Sequence, residues 1–429
     1  MQSIIECLKK GPSTSKELQA ATGLSQSTVS RSLKKIGDGI VQITEGRSVR
    51  YAATCNAFGV SDKIPLSIIG ESGKASLIAY VRPLACGKYF IEPKIDNFPS
   101  LFLGEGGSGL FDDLPYFLLD LRPQGYVGRQ IAKRLAQQSE DFPADPRTWN
   151  TNHIGRYLIS NGDDLPGNFL FGEPLRLRVR QDPVAVTQKD YPALAEKSIK
   201  GDPPGSSAGG EQPKFTAFNR KLGSHVIVKF TPKSDNEISA RWRDILITEY
   251  HAAKTLDKSG YPTAKSEMLE MDNRLFLESQ RFDRIAMFGR SSILSLDIVD
   301  REFVGYGGSN WSRVMTELSR QGLVAHQDLQ RTRELRYFGQ LINNTDMHLG
   351  NLSLSIDGGR FRLLPVYDMC SMGFAPKGGE LLPFNFHPDL QDTDLDEDQM
   401  ESVQRMAHRF WEAVASDDRI SKCFRDYII

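Results

Sequence analysis

The chain is poor in features that would tie it to an oxidising compartment or to a membrane. Its 429 residues contain five cysteines, which are scattered and show no C-x-x-C spacing. This pattern fits reduced thiols and gives no support to a zinc site. The sequence also lacks a basic-plus-apolar N-terminal signal and any apolar run of about eighteen residues. We therefore expect a cytoplasmic protein with no membrane partner.

A strong charge of one sign is absent as well. The net charge of −1 argues against a general polyanion binder, so any contact with nucleic acid must be local. Hydrophobic residues make up 39% of the chain and charged residues 25%, which is typical of a soluble globular protein. A chain of this length is sufficient for two or three domains, each with its own core.

The first 55 residues have the pattern of a winged helix-turn-helix. Three short helices are separated by glycines, and an alternating segment, IVQITEGRSVRYAA, predicts a hairpin around a turn at Glu45-Gly46. The second helix is expected to be capped at Ser15 and the third at Ser25. The helices correspond to the segments IIECLKKG, STSKELQAATG and LSQSTVSRSLKKIG.

The third helix of this segment has the character of a recognition helix. Val29, Leu33 and Ile36 share one face, which leaves the remaining positions for solvent or DNA. Residues 1–55 carry eight Lys/Arg against four Asp/Glu, a local excess of +4. We predict DNA binding, although a helical protein-interaction domain and a homodimer both stay open. The candidate DNA-binding residues are Gln26, Ser27, Arg31 and Lys34.

Residues 56–175 predict structure rather than chemistry. The segments KASLIAYVRP and GKYFIEP alternate like strands, and no catalytic constellation is visible. The aromatic residues Phe111, Tyr116 and Phe117 are expected to lie in a core.

A Gly/Ser-rich loop follows in GDPPGSSAGGEQPKFTAF, residues 201–218. Small residues such as Gly209 and Gly210 let backbone N–H groups approach an anion closely. The loop runs into a strand that begins near Lys214, and a lysine there could bind phosphates as a point charge. By itself the pattern is also compatible with a flexible hairpin loop.

The segments beyond this loop have the order of a kinase N-lobe. A second strand, SHVIVKF, ends at Lys229, and the long helix after it offers Glu237 or Glu249 as the acid that orients this lysine. The segment RLFLESQRFDRIAMFG then predicts a strand that runs into a polar connector.

The segment LINNTDMHLGNLSL, residues 341–354, has the composition of a catalytic loop. Phosphoryl transfer requires a carboxylate beside the acceptor hydroxyl and hard oxygen ligands for magnesium. Asp346 with Asn351 five residues later supplies a base and a neutral metal ligand, at the interval found in protein kinases. A second carboxylate, Asp368, follows in LLPVYDMCSMG.

Other interpretations of this loop remain open at this stage. It could be a polar turn capped by its own side chains. His348 and the two aspartates could bind a transition metal, but Asp and Asn oxygens favour magnesium. We expect His348 and Asn344 to support the loop structurally.

Five segments together resemble the HipA-like serine/threonine kinases, whose toxins pair with a DNA-binding antitoxin. The resemblance covers roughly residues 60–420. It implies an α+β, two-lobed protein-kinase-like fold with a β-rich N-terminal subdomain, here preceded by the winged helix-turn-helix. The segments are SSAGGEQPKF, VIVKF, QRFDR, NNTDMHLGNLSL and VYDMCS.

The resemblance also implies roles for individual residues. Asp346 would be the base, with Asn351 and Asp368 as Mg²⁺ ligands. Ser206 would be the autophosphorylated serine, with Ser207 as its rival because the loop is one residue longer than usual. The ATP-binding residues would be Lys214 and Lys229 at the phosphates, Gly209 and Gly210 in the loop, and Gln280 to Phe282 at the adenine hinge.

We therefore predict an ATP- and Mg²⁺-dependent serine/threonine kinase of toxin type with a fused DNA-binding domain. The alternatives are a transcription regulator whose kinase-like part senses a ligand without transferring phosphate, and a metal-dependent nuclease. The sequence names neither the protein substrate nor an antitoxin partner. The predicted domains are 1–55 (winged helix-turn-helix), 56–175 (β-rich subdomain), 176–282 (N-lobe) and 283–429 (helical C-lobe).

Overall fold

The computed structural model describes residues 3–173, 182–200, 212–376, 380–381 and 394–428. It confirms the predicted α+β class: a winged helix-turn-helix precedes a five-stranded sheet with helices, and two further lobes follow. Within these residues, no helix is both long enough and apolar enough to cross a bilayer. The domain boundaries drawn from the sequence stay predictions.

The N-terminal helices pack around a small core of Leu8, Leu18, Val29 and Leu33, all buried. A three-stranded sheet in the order β1-β3-β2 completes the unit as a wing. The elements are α1 (Ile4–Lys10), β1 (Ser13–Thr14), α2 (Ser15–Thr22), α3 (Gln26–Ile36), β2 (Ile40–Glu45) and β3 (Ser48–Ala53).

Two local predictions in this unit are shifted by one residue. The cap of α2 is Thr14 and not Ser15: the Thr14 side chain accepts from the Glu17 backbone N–H, and the Glu17 side chain returns to the Thr14 N–H. This reciprocal capping box requires an acidic residue three positions after the cap. Glu17 occupies that position relative to Thr14. The hairpin turn is Gly46-Arg47, because Glu45 still pairs with Ser48 and Gly46 has φ of +58°. The predicted Ser25 cap of α3 is confirmed.

The middle of the chain forms an antiparallel sheet in the order β7-β6-β5-β4-β8, covered by helices. As predicted, Phe111, Tyr116 and Phe117 are buried in its core. The elements are β4 (Ile64–Ile69), β5 (Ala75–Pro83), β6 (Tyr89–Pro93), β7 (Leu110–Phe111), α4 (Tyr116–Leu119), α5 (Gly125–Gln138), α6 (Thr151–Asn161) and β8 (Phe169–Phe171).

The wing and the middle sheet share one junction. Its centre is Arg82 on β5, whose guanidinium donates to the Asp38 carbonyl at 2.7 Å and to carboxylates of Asp62 and Glu92 at 3.0 and 2.8 Å. Beside it, Ile43 of the wing and Leu84 of the middle region belong to one buried apolar cluster. The wing therefore packs against the middle region and is not a loosely tethered unit.

The next lobe contains a sheet in the order β12-β13-β11-β10-β9 and one long helix, α8. The predicted strands around Lys214 and Lys229 and the predicted long helix are confirmed. The elements are β9 (Ala185–Val186), α7 (Tyr191–Ile199), β10 (Lys214–Asn219), β11 (Ser224–Phe230), α8 (Glu237–Lys258), β12 (Ser266–Met271) and β13 (Arg274–Gln280).

The last lobe is mainly helical. Phe338 and Phe410 meet edge to face in its core at 6.0 Å between ring centroids. Its elements are β14 (Arg284–Ile285), β15 (Gly289–Arg290), β16 (Leu294–Ser295), α9 (Leu296–Phe303), α10 (Trp311–Arg320), α11 (His326–Leu341), β17 (Ser353–Asp357), β18 (Arg360–Leu363), α12 (Glu397–Ala415) and α13 (Lys422–Ile428).

Candidate active site

A cavity of about 580 Å³ lies between the last two lobes. Most of the candidate residues predicted from the sequence line this cavity, although they are spread over more than 150 positions of the chain. The candidates that line it are Lys214, Lys229, Gln280, Phe282, Asp346, His348, Asn351 and Asp368.

Side chains along strand β11 alternate between the two faces of the sheet, and this alternation places Lys229 in the cavity. Val226, Val228 and Phe230 point into a buried apolar cluster on one face of the sheet. Successive side chains of a strand point to opposite faces, so Ile227 and Lys229 face the cavity. The position of the lysine therefore follows from the hydrophobic pattern of the strand itself.

Lys229 is the centre of an ion triad. Its Nζ lies 2.7 Å from both carboxylate oxygens of Glu249 and 2.7 Å from Oδ1 of Asp368. Glu249 is on α8, whereas Asp368 follows β18 in the other lobe. Of the two acids that the sequence offered, the structure selects Glu249, because Glu237 is exposed in the first turn of the helix.

Burial and the lysine act against each other at the two carboxylates. Burial opposes ionisation of Asp368, but the ammonium groups of Lys229 and Lys214 outweigh it and hold the pKa of Asp368 below its ordinary value. For Glu249 burial is the stronger effect, and its pKa is raised. Burial disfavours the charge of Lys229, yet Asp368 and Glu249 raise its pKa above the ordinary value. The lysine is therefore a permanent cation.

The loop after α11 holds Asp346 and Asn351 next to each other. The Asn351 Nδ2 donates to the Asp346 carbonyl at 2.7 Å and lies 3.4 Å from Oδ2 of the same residue. The Asp346 backbone N–H donates to Oδ1 of Asn344, which is buried. These bonds use the backbone of the loop and the amide nitrogen of Asn351, so that the Asn351 Oδ1 remains for a cation.

His348 fastens the same loop through its backbone and its ring. Its carbonyl accepts from Nε1 of the buried Trp311 at 2.9 Å, and its Nδ1 accepts from the Gly350 N–H at 3.0 Å. The His348 Nε2 lies 3.8 Å from Oδ1 of Asp346. This geometry is compatible with the supporting role expected for the histidine.

Asp368 itself has an unusual backbone conformation. Its φ is +53°, a region that residues with a side chain rarely adopt. Residues in such strained backbone conformations are found mainly at functional sites, where contacts with the surrounding structure hold them in place. In this case the bond to Lys229 and the buried neighbours Met369 and Cys370 hold the residue in place.

The segment after β13 forms the connection between the lobes. Backbone N–H groups of Gln280 and Arg281 donate to the carbonyls of Lys265 and His225 at 2.8 and 2.9 Å. The Phe282 ring lies 5.8 Å from the ring of Tyr367. Gln280 and Phe282 line the cavity where the two lobes connect, and their role at an adenine stays a prediction.

A buried charge cluster beneath this hinge was not identified from the sequence. Asp283 accepts from Arg281 at 2.8 and 2.9 Å, from Arg284 at 2.7 Å and from the Gly167 N–H of the middle region at 2.8 Å. Burial opposes its ionisation, but the two arginines hold the pKa of Asp283 far below its ordinary value. The signal in the sequence was the alternation of opposite charges in QRFDR, immediately after a buried strand.

The middle region also contributes to the cavity wall, which the sequence did not indicate. Asp120 and Arg122 line the cavity. The half-buried Asp120 accepts from the backbone N–H of Ser295 at 2.8 Å and from its Oγ at 2.5 Å. Burial raises the pKa of Asp120.

Four candidates of the Gly/Ser-rich loop cannot be placed. Ser206, Ser207, Gly209 and Gly210 lie outside the described residues. The described chain resumes just before Lys214, whose Cα pairs with that of Lys229 across the two strands. Lys214 is buried and lines the cavity.

The candidates for DNA binding lie on the exposed face of α3, as their spacing predicted. Val29 and Leu33 are buried, which turns the opposite face to solvent. The Arg31 Nε donates to the Ser27 carbonyl at 3.3 Å along the helix. The exposed candidates are Gln26, Ser27, Arg31 and Lys34.

Three family models match the chain. Residues 206–427, more than half of its length, match the HipA-like C-terminal domain. Residues 60–180 match the middle domain of YjjJ-like toxins, and residues 3–42 match the bacterial regulatory proteins of the arsR family.

A curated relative and a solved structure extend these matches. The chain is 35% identical over 435 residues to Toxin YjjJ of Escherichia coli (strain K12), covering 99% of this chain and 95% of that protein. It is also similar to a chain in the complex of HipA, HipB and operator DNA from the Shewanella oneidensis MR-1 toxin–antitoxin system. That match has a TM-score of 0.57 and 17% identity, and it covers 85% of this chain and 94% of that one. At this identity the likeness supports the fold alone.

Replacing Lys229 by methionine tests the ion triad. The variant leaves the buried Glu249 and the half-buried Asp368 without their shared cation, and we expect a loss of about 3 kcal/mol in the free energy of unfolding near pH 7. Without the lysine the pKa values of both carboxylates rise. A raised pKa in the folded state stabilises at low pH, and this contribution is lost as the pH rises. The gap to wild type should therefore be larger at pH 8 than at pH 5.

Lys233→Met is the matched control. Lys233 also bridges two carboxylates, Glu196 and Asp272, but its side chain is 41% exposed, so its loss should destabilise the protein far less than the loss of Lys229. The measurement is chemical denaturation of both variants at the two pH values. Equal stability losses for the two lysines, or a gap that narrows with rising pH, would contradict the buried triad.

Proposed function

The chain belongs to the HipA-like protein family, and from this premise we propose that it is an ATP- and Mg²⁺-dependent serine/threonine kinase of toxin type. The observation that carries the proposal is the convergence of the Lys229–Glu249–Asp368 triad and the Asp346–Asn351 pair on one cavity. Kinase chemistry requires these functions together: a fixed cation, hard oxygen ligands and a base. The name of the relative Toxin YjjJ supports the toxin assignment.

The donor set of the cavity fits magnesium and nucleotide phosphates. Asp368 offers a carboxylate and Asn351 a carboxamide oxygen, and Mg²⁺ is commonly bound by one or two carboxylates together with substrate phosphates. In the part of the chain that the structure describes, no group of three or more His, Cys, Asp or Glu side chains could hold a metal. Phosphate oxygens would therefore complete the coordination. Bound Mg²⁺ would supply charge neutralisation at these phosphates.

Each residue of the site would then have a separate role in phosphoryl transfer. Lys229, held by Glu249, would bind phosphate oxygens as a fixed positive charge. Asp346 would accept the proton of the acceptor hydroxyl at its carboxylate. Its backbone would be kept in place by its N–H, which donates to Asn344, and by its carbonyl, which accepts from Asn351. Gln280 to Phe282 would bind the base through backbone groups.

A regulator that senses a nucleotide without transferring phosphate is the competing function. Such a sensor needs Lys229 and the hinge, but it does not need a base beside the metal ligands. Asp346 therefore distinguishes the two functions.

Asp346→Asn should reduce phosphoryl transfer by about 10²- to 10⁴-fold because the base is lost. Nucleotide affinity should stay within a few-fold, since the phosphate-binding groups are intact. Transfer from γ-labelled ATP and nucleotide binding are measured on the same preparation. Asp357→Asn, at an exposed strand end, is the control. Wild-type transfer by the Asp346 variant would refute the assignment of the base, and no transfer by the wild-type protein would favour the sensor.

We further propose that the N-terminal unit binds DNA through the exposed face of α3. Its match to arsR-family regulators and its basic recognition helix support this assignment. The complex of the structural relative with operator DNA is consistent with it. A separate antitoxin and a homodimer that reads two half-sites are both compatible with this arrangement.

Arg31→Ala should weaken duplex binding and flatten its salt dependence. Each lost phosphate contact reduces the slope of log K against log salt by about one. Changes at Gln26 or Ser27 should instead relax sequence preference, because base contacts carry specificity. Arg320→Ala, an exposed arginine on α10, is the matched control. Binding of the full chain is measured by titration at several salt concentrations, and an unchanged slope for Arg31→Ala would remove this residue from the interface.

We also propose autophosphorylation at Ser206, or at Ser207 if the loop register is shifted. A phosphate there adds a charge of about −1.5 to −2 upstream of Lys214. It would repel nucleotide phosphates and compete for Lys214 and Lys229, which would lower nucleotide affinity.

Phosphopeptide mapping after incubation with ATP, with Ser206→Ala and Ser207→Ala in parallel, identifies the modified serine. We expect the phosphorylated chain to bind ATP more weakly than the unmodified chain. A serine that only caps the turn would carry no phosphate. Equal affinity of the two forms would rule out self-inactivation.

A further inference from the structure

Lys214 is the first residue of β10, so its position depends on what holds the start of this strand. The next residue, Phe215, lies in the buried apolar cluster on one face of the sheet. Successive side chains of a strand alternate between faces, and Lys214 therefore points into the cavity. A phosphate-binding role for this lysine requires that β10 begins at a fixed place.

Ser198 ties the start of β10 to the end of α7. The side chain of this buried residue donates from its Oγ to the Lys214 carbonyl at 3.0 Å. Ser198 lies in the last turn of α7, and the small residues at 205–210 lie between it and Lys214 in the sequence. The bond therefore joins the point where the chain leaves α7 to the point where it enters β10.

The middle region holds Ser198 in turn. Tyr126, in the first turn of α5, donates from its hydroxyl to the Ser198 carbonyl at 3.0 Å. Its ring is half-buried and packs against the apolar core, and α5 also packs against β10. One continuous path of contacts thus runs from the middle region through Tyr126 and Ser198 to Lys214.

The same segment of the middle region is bonded to the last lobe. Asp120 accepts from the backbone N–H and the hydroxyl of Ser295, the residue that caps α9. The turn between Asp120 and Tyr126 is closely packed, because a side chain at Gly128 would come within 2.6 Å of the Pro123 backbone. Both lobes are therefore held by one short, closely packed segment.

We propose that the middle region holds Lys214 in a fixed position relative to the catalytic loop, with Tyr126 and Ser198 as the positioning residues. The inference rests on the proposed nucleotide function, in which Lys214 binds phosphate oxygens. Kinase lobes close around their ligand by a hinge motion, and a lysine on a strand of one lobe moves with that lobe. Here the hydroxyl of Tyr126 ties this strand to a region that is bonded to the lobe carrying Asp346. Neither Tyr126 nor Ser198 lines the cavity formed by the described residues, so both act through Lys214.

A double-mutant cycle on ATP binding tests the proposal. The Kd of ATP with Mg²⁺ is measured by calorimetry on the full chain for wild type, Tyr126→Phe, Lys214→Met and the double variant. Tyr126→Phe removes one hydrogen bond and should weaken ATP binding about three- to tenfold. On the Lys214→Met background the same change should weaken binding by less than about twofold, because the group that it positions is gone. Ser198→Ala, which removes the second bond, should behave like Tyr126→Phe on both backgrounds.

Tyr80→Phe is the matched control. Tyr80 lies on β5 of the same region, and the contacts of its ring with the ammonium groups of Lys63 and Lys94, at 4.8 and 5.3 Å, do not need the hydroxyl. This variant should bind ATP like the wild type. Thermal unfolding of each variant establishes that it is folded.

The outcomes separate this inference from the function on which it rests. If Tyr126→Phe binds ATP as tightly as the wild type, or loses the same factor on both backgrounds, the tyrosine does not act through Lys214 and the inference fails alone. The same two results for Ser198→Ala would remove Ser198 from the path. If Lys214→Met binds ATP like the wild type, the lysine is not part of the phosphate site and the inference is overturned. If the wild-type protein does not bind ATP, the proposed kinase function fails together with it.

Discussion

The burial of Lys229 is the constraint on which the active-site geometry depends. An ammonium group with almost no access to water is tolerated only if carboxylates surround it. Its partners come from two directions, Glu249 from α8 and Asp368 from the lobe below the hinge. The sheet, the long helix and the lower lobe must therefore meet at one point before the lysine can be buried. The same contact places Asp368 beside Asp346 and Asn351 in a single cavity.

This ion triad also has a consequence for ligand binding. In the proposed kinase, the Asp368 oxygen that accepts from Lys229 belongs to a carboxylate that would also bind Mg²⁺. The lysine acts as the counter-ion of Asp368 when nothing else is bound. When nucleotide is bound, Lys229 would also bind phosphate oxygens, and Asp368 would hold the metal, which would supply positive charge beside these phosphates. Two further sets of buried charges connect the middle region to its neighbours, Arg82 at the wing and Asp283 at the hinge.

Residues whose position follows from local periodicity could be predicted from the sequence. The alternation in SHVIVKF places Lys229 on the face away from the apolar core, and the spacing of Val29 and Leu33 exposes Arg31. The close spacing of Asp346, His348 and Asn351 keeps them on one loop. The choice between Glu237 and Glu249 could not be made, because it depends on how α8 lies against the sheet. Asp120 and the bond from Gly167 to Asp283 could not be found at all, since only tertiary packing brings the middle region to the cavity and to the hinge. The Thr14 cap was missed because the reciprocal bond of Glu17, not the preference of the cap residue alone, decides where α2 begins.

The most direct test of the central claim is a crystal structure of the full chain with a non-hydrolysable ATP analogue and Mn²⁺ as an anomalous substitute for Mg²⁺. Our account predicts the base against Gln280 to Phe282, phosphates at Lys229 and Lys214, and an anomalous peak bound by Asn351 and Asp368. A nucleotide bound outside this cavity, or a metal peak remote from both side chains, would contradict it.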